Sequence, residues 1–544
     1  MRKRSASRGA RLYRRGRFAI LTLRLCLVGC AGPAAALPGA QPAELFAFER
    51  YDVVTGARER QTILTGFLAG GSVADLAVVD SDEDDGRRLR IFTFTDGDWS
   101  PELQTTLRRE ASFVDVANIN GRDRLVVYGG GRLTWFDPES ATERELVAVA
   151  ANFSPPRGDE IPHVDITRDV NGDGRDDLVV PGVDGFRVFI QTSAGEFADP
   201  VKIGRSPDLS RIYGADGYRY NPWGESRVHE MDYDQDGRQD LVFWNEDHFA
   251  VHHQDEEGLF APVAETFTTE VTFDTDDLSS LAMGGMTGRV LHSLADLNGD
   301  GVGDLVVFSL EGASISRKRS TCEVHLGAPA PDGGTLFARD VDFAFQSDGR
   351  IQLGMNRRDF DGDGDLDLMF TTIEVEYLES SLWKRLKGFM GDDIWLDIEF
   401  YSNTGGLHSD SPDAVRRMQL DGHPSVREDG WVPLDIVLRG ATHEERKKQK
   451  RHLRAFNTTL LIGDVTGDGR PDLLIEETHR QLLVFAGVSG PDLFARQPQR
   501  VMVAIPNDEE YTWLVDLNRD GKQDILMHHP STTEPHRVTM LIAR

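Results

Sequence analysis

Six stretches of this chain set carboxylate, amide or hydroxyl oxygens at alternate positions, with a glycine in sixth place. They are Asp169–Asp177, Asp232–Asp240, Asp296–Asp304, Asp359–Asp367, Asp464–Asp472 and Asp516–Asp524. Side-chain oxygens stand at the first, third, fifth and ninth positions: Asp169, Asn171, Asp173 and Asp177; Asp232, Asp234, Asp236 and Asp240; Asp296, Asn298, Asp300 and Asp304. The later three carry Asp359, Asp361, Asp363 and Asp367; Asp464, Thr466, Asp468 and Asp472; Asp516, Asn518, Asp520 and Asp524. The seventh residue, Arg175, Arg238, Val302, Asp365, Arg470 or Lys522, is expected to add its backbone carbonyl. Oxygen donors at this spacing, with a glycine permitting a sharp turn, can wrap a hard cation such as calcium. Thirty candidate metal-site residues follow, with calcium as the cofactor at about six structural sites.

An EF-hand needs a bidentate glutamate at the twelfth position and a helix on each side. The twelfth positions here are Val180, Phe243, Val307, Phe370, Ile475 and Met527, none of which can ligate. Each loop instead opens into a short apolar run (LVV, LVF, LVV, LMF, LLI or ILM), the pattern of a buried strand. The unit is a cation loop followed by a strand, so the EF-hand is excluded.

The repeat decides the fold class. Two degraded copies, Phe67–Asp75 and Val116–Arg124, precede further apolar runs but lack most donors, so no metal is predicted there. Eight units then start at positions 67, 116, 169, 232, 296, 359, 464 and 516. This spacing suits an all-β propeller with one four-stranded blade per unit. The last unit ends early, and Glu44–Val53 can supply its missing outer strand, which favours eight blades over the seven-bladed alternative. The wide gap after the sixth loop marks an insertion at about 371–455, within which strand-like sequence returns at Ile394–Tyr401. Within it Ile373–Met390 places Leu378, Leu382, Leu386 and Phe389 at helical spacing, and the run Arg446–Arg451 is basic.

Composition agrees with a turn-rich domain: 39% hydrophobic residues allow a large core, and 54 glycines and 24 prolines favour strands and turns over helix. A formal charge of −30 excludes a nucleic-acid partner, whose phosphates need a basic face. The first 17 residues hold eight basic residues and no acidic one, and an apolar run, Phe18–Cys30, follows. This reads as a signal peptide over 1–29 rather than a membrane span. Leu27-Val28-Gly29-Cys30 resembles a lipobox with Cys30 as the lipidated residue, whereas Ala34-Ala35-Ala36 offers an ordinary cleavage site. The expected location is the cell envelope, as an outer-membrane lipoprotein or, alternatively, periplasmic or secreted. Residues 30–43 would form a linker and 44–544 the propeller. With Cys30 lipidated, Cys322 has no disulfide partner, and calcium is the remaining means of stapling an exported fold.

The repeated D-x-[DN]-x-D-G-x-x-D-[LI] loops, each opening a strand, resemble the FG-GAP/VCBS-type repeats of bacterial surface proteins and integrin α-subunit propellers. The resemblance spans nearly all of the chain after the signal peptide and implies calcium in the six intact loops. It also implies a non-catalytic binding, adhesion or scaffold role, with an unidentified protein or glycan ligand and contact with the membrane only through an anchor at Cys30. A monomer is expected. The alternative is a calcium-dependent polysaccharide lyase, but no clustered base is visible. G-x-S-x-G, H-E-x-x-H and phosphate-loop motifs are absent. The pairs His252-His253 and His528-His529 are expected to serve packing, because adjacent residues on a strand face opposite ways.

Overall fold

The architecture comes from a computed structural model. It describes residues 46–544 except 57–60, 82–85, 150–160, 206–218, 226–227, 277–286, 313–318, 375–393, 421–422, 427–456, 507–510 and the single positions 332, 349, 407, 410, 491 and 532. The expected signal peptide, Cys30, the linker, the helical periodicity within Ile373–Met390 beyond Glu374, and the basic run Arg446–Arg451 lie outside the described residues.

The strands form eight sheets, each built on four antiparallel strands and arranged as the blades of a propeller, and a separate two-stranded hairpin, Gly327–Pro329 with Thr335–Phe337. Most blades take four consecutive strands; blade 4, for example, orders Val228–Met231, Asp240–Asn245, His248–His252 and Glu265–Phe267 side by side. The first strands of adjacent blades touch: Gln61–Gly66 meets Ala111–Ile119, Val228–Met231 meets Gly288–Ala295, and Asn457–Gly463 meets Thr512–Val515. First strands therefore ring the axis. The described residues contain one α-helical segment, Pro222–Glu225, and no helix among them is long and apolar enough to cross a membrane.

The apolar runs after the loops become second strands and are buried along their length. Leu178, Val179 and Val180 are at most 1% exposed, and Leu305, Val306 and Val307 are fully covered. Both faces of such a strand contact neighbouring blades, which is why these runs are continuous rather than alternating. The cores lie between blades: Leu517, Leu526, Val538 and Met540 of blade 8 pack with Ile63, Leu76 and Val78 of blade 1.

Blade 8 closes the ring with both ends of the described chain. Its inner three strands are Thr512–Val515, Asp524–His529 and His536–Ala543, and its outer strand is Phe48–Gly56, paired from Phe48↔Ala543 to Gly56↔His536. The N-terminal closure expected from sequence is present, shifted toward the C-terminal side of Glu44–Val53. Thr55 is fully buried at a register shift between Val54 and Gly56, where its hydroxyl donates to Gln61 Oε1 at 2.7 Å.

Blade 6 corrects the insertion boundaries. Asp367–Glu374 is its second strand, and Ile394–Tyr401 and Ala414–Leu420 are its third and fourth. The segment 371–455 is thus not one insertion: two blade strands run through it, and the extra chain falls between Glu374 and Ile394 and between Val426 and Asn457. Short parallel additions also escaped the sequence reading. His163–Val164 and Arg219–Tyr220 extend blade 2, and His423–Val426 extends blade 7. Pairings of two to four residues carry too little periodicity to be recognised.

Candidate metal centres and interblade joints

Strands alternate in direction, so the connections between first and second strands, and between third and fourth, all emerge on one face of the propeller. The six acidic loops are first-to-second connections and share that face. Each sixth-position glycine adopts a left-handed conformation (φ from 80° at Gly174 to 99° at Gly364), and a Cβ there would meet nothing within 4 Å. Backbone conformation, not space, demands the glycine.

The loop geometry repeats. The first aspartate receives the N–H groups of the fifth and sixth residues: Asp232 accepts from Asp236 at 3.0 Å and Gly237 at 2.9 Å, and Asp359 accepts from Asp363 at 3.1 Å and Gly364 at 3.0 Å. The same pairs form at Asp169, Asp296, Asp464 and Asp516. The third side chain also turns onto the fifth N–H through Asn171, Asp234, Asn298, Asp361 and Asn518. Thr466 departs from this pattern; its hydroxyl lies 3.4 Å from Asp464 and from Asp472. The fifth carboxylate accepts the seventh N–H in every loop, at 2.8–3.0 Å, from Arg175, Arg238, Val302, Asp365, Arg470 and Lys522.

First, third and fifth side chains are thereby drawn together. One oxygen from each of Asp232, Asp234 and Asp236 lies within 4.8 Å of the others, and Asp359, Asp361 and Asp363 form a second such trio. An all-oxygen donor set gathered this way fits a hard divalent cation.

The ninth aspartate has a different first task. Both of its oxygens accept backbone N–H groups, one from the loop's second residue and one from a residue at or just after the end of the blade's third strand. Asp304 holds Leu297 at 2.8 Å and Gly327 at 2.9 Å; Asp472 holds Val465 at 2.8 Å and Gly487 at 2.7 Å. Asp177, Asp240, Asp367 and Asp524 repeat the clamp. The second loop residue, Val170, Tyr233, Leu297, Phe360, Val465 or Leu517, is buried. Sequence spacing names the ninth residue as a metal ligand but does not reveal that backbone N–H groups occupy its oxygens.

Neighbouring blades meet over these loops. Gln191 of blade 3 donates to Asn118 O of blade 2 at 3.0 Å, Gln254 of blade 4 to Asn171 O of blade 3 at 2.8 Å, and Asn403 of blade 6 to Leu297 O of blade 5 at 3.2 Å. These residues follow the third strand, and their own N–H groups are the ones clamped by the ninth aspartates. The approach is close: a Cβ on Gly406 would come within 2.7 Å of Asn298 O. Gln235 of blade 4 likewise donates to Gly334 O of blade 5 at 3.2 Å, Asp464 O of blade 7 accepts from Gln523 N–H of blade 8 at 2.7 Å, and Leu517 O of blade 8 accepts from Ala74 N–H of blade 1 at 2.7 Å, so the acidic loops sit at joints between blades.

Two features were not visible in the sequence. The seventh-position side chains Arg175, Arg238 and Arg470 fold back onto the fifth aspartates Asp173, Asp236 and Asp468. His253, expected to pack, instead turns toward Asp234 and Asp240, while its neighbour His252 is buried and donates from Nδ1 to Ala261 O at 2.7 Å. His528 is buried with Nε2 3.2 Å from His536 Nδ1, and burial pushes its pKa down to about 3.

Burial raises the ninth aspartates well above the usual carboxylate range, Asp177 to about 7 and Asp240, Asp304, Asp367, Asp472 and Asp524 to about 6. A carboxyl group whose pKa is higher in the folded than in the unfolded state holds its proton more tightly when folded. The stability this contributes is complete below about pH 4 and is lost as pH rises through about 6 to 7. Metal-stripped protein should accordingly melt at a higher temperature at pH 5 than at pH 8. A higher midpoint at pH 8 would contradict this assignment.

Residues 232–307 match the FG-GAP-like repeat family. The matched span runs from the acidic loop of blade 4 through that of blade 5 into its second strand. No curated protein matches the chain. Among solved structures, the chain resembles the Vibrio cholerae biofilm matrix protein Bap1 at 11% identity and a TM-score of 0.37, covering 91% of each chain. It also resembles a lectin of Agrocybe aegerita that recognises non-reducing terminal N-acetylglucosamine, at 14% identity and a TM-score of 0.31, covering 68% of this chain and 81% of the other. A third is the WD40 domain of SCAP from fission yeast, at 9% identity and a TM-score of 0.35, covering 93% and 96%.

Proposed function

We propose that this eight-bladed propeller with FG-GAP-like repeats is a calcium-stabilised, non-catalytic module of the bacterial cell envelope that presents one face to a protein or glycan ligand. The observation that carries this reading is the sixfold recurrence of one acidic loop, in the same hydrogen-bonded geometry and on one face, at joints between blades. A catalytic metal calls for one specialised centre with an open position and a nearby base. Six equivalent centres are what a structural staple requires. Calcium would be held by the first, third and fifth side chains, and bound there it would cross-link a loop whose carboxylates otherwise repel.

We infer the ligand face from connectivity. Second-to-third connections and blade-to-blade connections emerge opposite the acidic loops, and the long second-to-third connection of blade 6 that follows Glu374 is one of them. Long surface connections on a rigid scaffold commonly carry recognition. The N-terminal segment, with its basic start and candidate lipid site at Cys30, supports export to an environment where calcium is abundant.

Calcium-loaded protein applied to a glycan array and to acidic polysaccharides tests the non-catalytic reading. Saturable binding without product is the expected result. Release of ultraviolet-absorbing unsaturated uronates would overturn it in favour of a lyase.

A further inference from the structure

The loop of blade 4 differs from the other five by one nitrogen. The residue preceding the clamped N–H after the third strand is Ile190 in blade 3, Leu326 in blade 5, Ser402 in blade 6, Ala486 in blade 7 and Ile542 in blade 8. In blade 4 it is His253, whose N–H neighbour Gln254 is held by Asp240. His253 Nδ1 stands 3.3 Å from Asp240 Oδ2 and 3.5 Å from Asp234 Oδ2. That nitrogen is itself buried and makes no hydrogen bond.

The opposite ring nitrogen decides what Nδ1 offers. Nε2 lies 3.0 Å from Glu265 Oε2, on the fourth strand of the same blade. A carboxylate accepts only, so Nε2 carries the proton and donates it. In the neutral ring, Nδ1 then directs a lone pair at two carboxylate oxygens, an arrangement that a cation between them turns from repulsive to attractive. A histidine anchored by a carboxylate through one nitrogen and facing ligands with the other is the usual outer support of a metal-bound imidazole. Around a tetrahedral zinc with bonds of about 2.1 Å, donor atoms lie about 3.4 Å apart. The two separations in blade 4 bracket that value.

We propose that Asp234, Asp240 and His253 form a binding site for a zinc-class divalent cation, with Glu265 as the residue that positions His253. An imidazole donor favours zinc and its transition-metal neighbours over calcium, which takes oxygen ligands. The site rests on the proposed reading of these loops as cation-binding, and it makes blade 4 the one loop of the six with a selectivity of its own. Asp240 carries both tasks, since its Oδ2 also accepts Tyr233 N–H at 3.2 Å.

The test is titration of the metal-stripped full chain with zinc chloride against a chromophoric chelator, repeated in excess calcium, for the native protein, His253→Ala and Glu265→Gln. One tight zinc site that survives excess calcium is expected in the native protein. His253→Ala should lose it, and Glu265→Gln should weaken it about 10–100-fold. Cobalt added in place of zinc should give visible ligand-field absorption that disappears in His253→Ala. Both variants should retain the calcium-dependent shift in melting temperature, which shows that they fold and that the other loops still work. Zinc binding equal in native protein and His253→Ala would overturn the site. So would no tight zinc binding alongside a normal calcium shift, which would leave His253 as a protonated ion-pair partner and the calcium reading intact. Loss of both responses in the native protein would remove the two readings together.

Discussion

A chain lacking Phe46–Gly56 should fail to give a single cooperative melt, or should melt on the order of 10 °C lower and associate into oligomers. These residues close blade 8 from outside. Phe48–Gly56 supplies the fourth strand, Ala47 O accepts the N–H of Arg544 at 2.9 Å, and Phe46 O accepts from Gln499 of blade 7 at 2.8 Å. Phe46 and Val53 are 5% and 4% exposed, and burying each such side chain contributes about 1.5–3 kcal/mol. The cost of deletion is therefore several kcal/mol against a total stability of about 5–15 kcal/mol. It also exposes the His536–Ala543 strand as an open edge, a template for pairing with a second chain. Size-exclusion chromatography with thermal melting checks both arms. A monomer with unchanged melting would show that three strands suffice for blade 8 and that the closure is dispensable.

Much of this fold was readable because its unit is marked twice, by a loop that needs particular residues and by the buried strand that follows. Leu178-Val179-Val180 and its counterparts could be placed as strands without knowing their neighbours, and the short final unit pointed to an N-terminal partner. Strand identity was harder where propensity and packing disagree. The leucines of 378–386 suggest an insertion, and Ile394–Tyr401, strand-like in sequence, rejoins blade 6 by pairing with Asp367–Glu374, whereas the next strand, Ala414–Leu420, carries no such mark. Left-handed turns gave an incomplete signal: glycine usually fills the fourth loop position, but Gln235 and Arg519 adopt φ of 60° and 56° there, held by the surrounding hydrogen bonds. His253 was legible only as half of a histidine pair. Its approach to Asp234 depends on the fourth strand and Glu265, 12 residues later.

The second large effect is the response to calcium. In the trios Asp232, Asp234, Asp236 and Asp359, Asp361, Asp363, oxygens converge to within 4.8 Å. Like charges at that separation repel by about 3–4 kcal/mol at an effective dielectric constant of 20. The backbone N–H groups donated to the first and fifth aspartates, and Arg175, Arg238 and Arg470 folded onto three fifth aspartates, relieve part of this repulsion. A divalent cation would relieve more, adding about 2.7 kcal/mol per site when its concentration is 100 times the dissociation constant. Six independent sites would sum to about 16 kcal/mol, as large as the whole stability of an ordinary domain. The loops also join blade to blade, so their loosening should propagate around the ring rather than fray one hairpin. Stripping the metal at neutral pH should therefore destabilise the entire propeller in one transition.

Thermal unfolding of the metal-stripped chain at pH 7.5, with excess calcium and with chelator, alongside a count of bound ions, addresses this most directly. Calcium staples at the interblade joints predict a large upward shift of a single transition and about six ions per chain. An unchanged midpoint, or only one or two ions with the remaining loops empty, would contradict them.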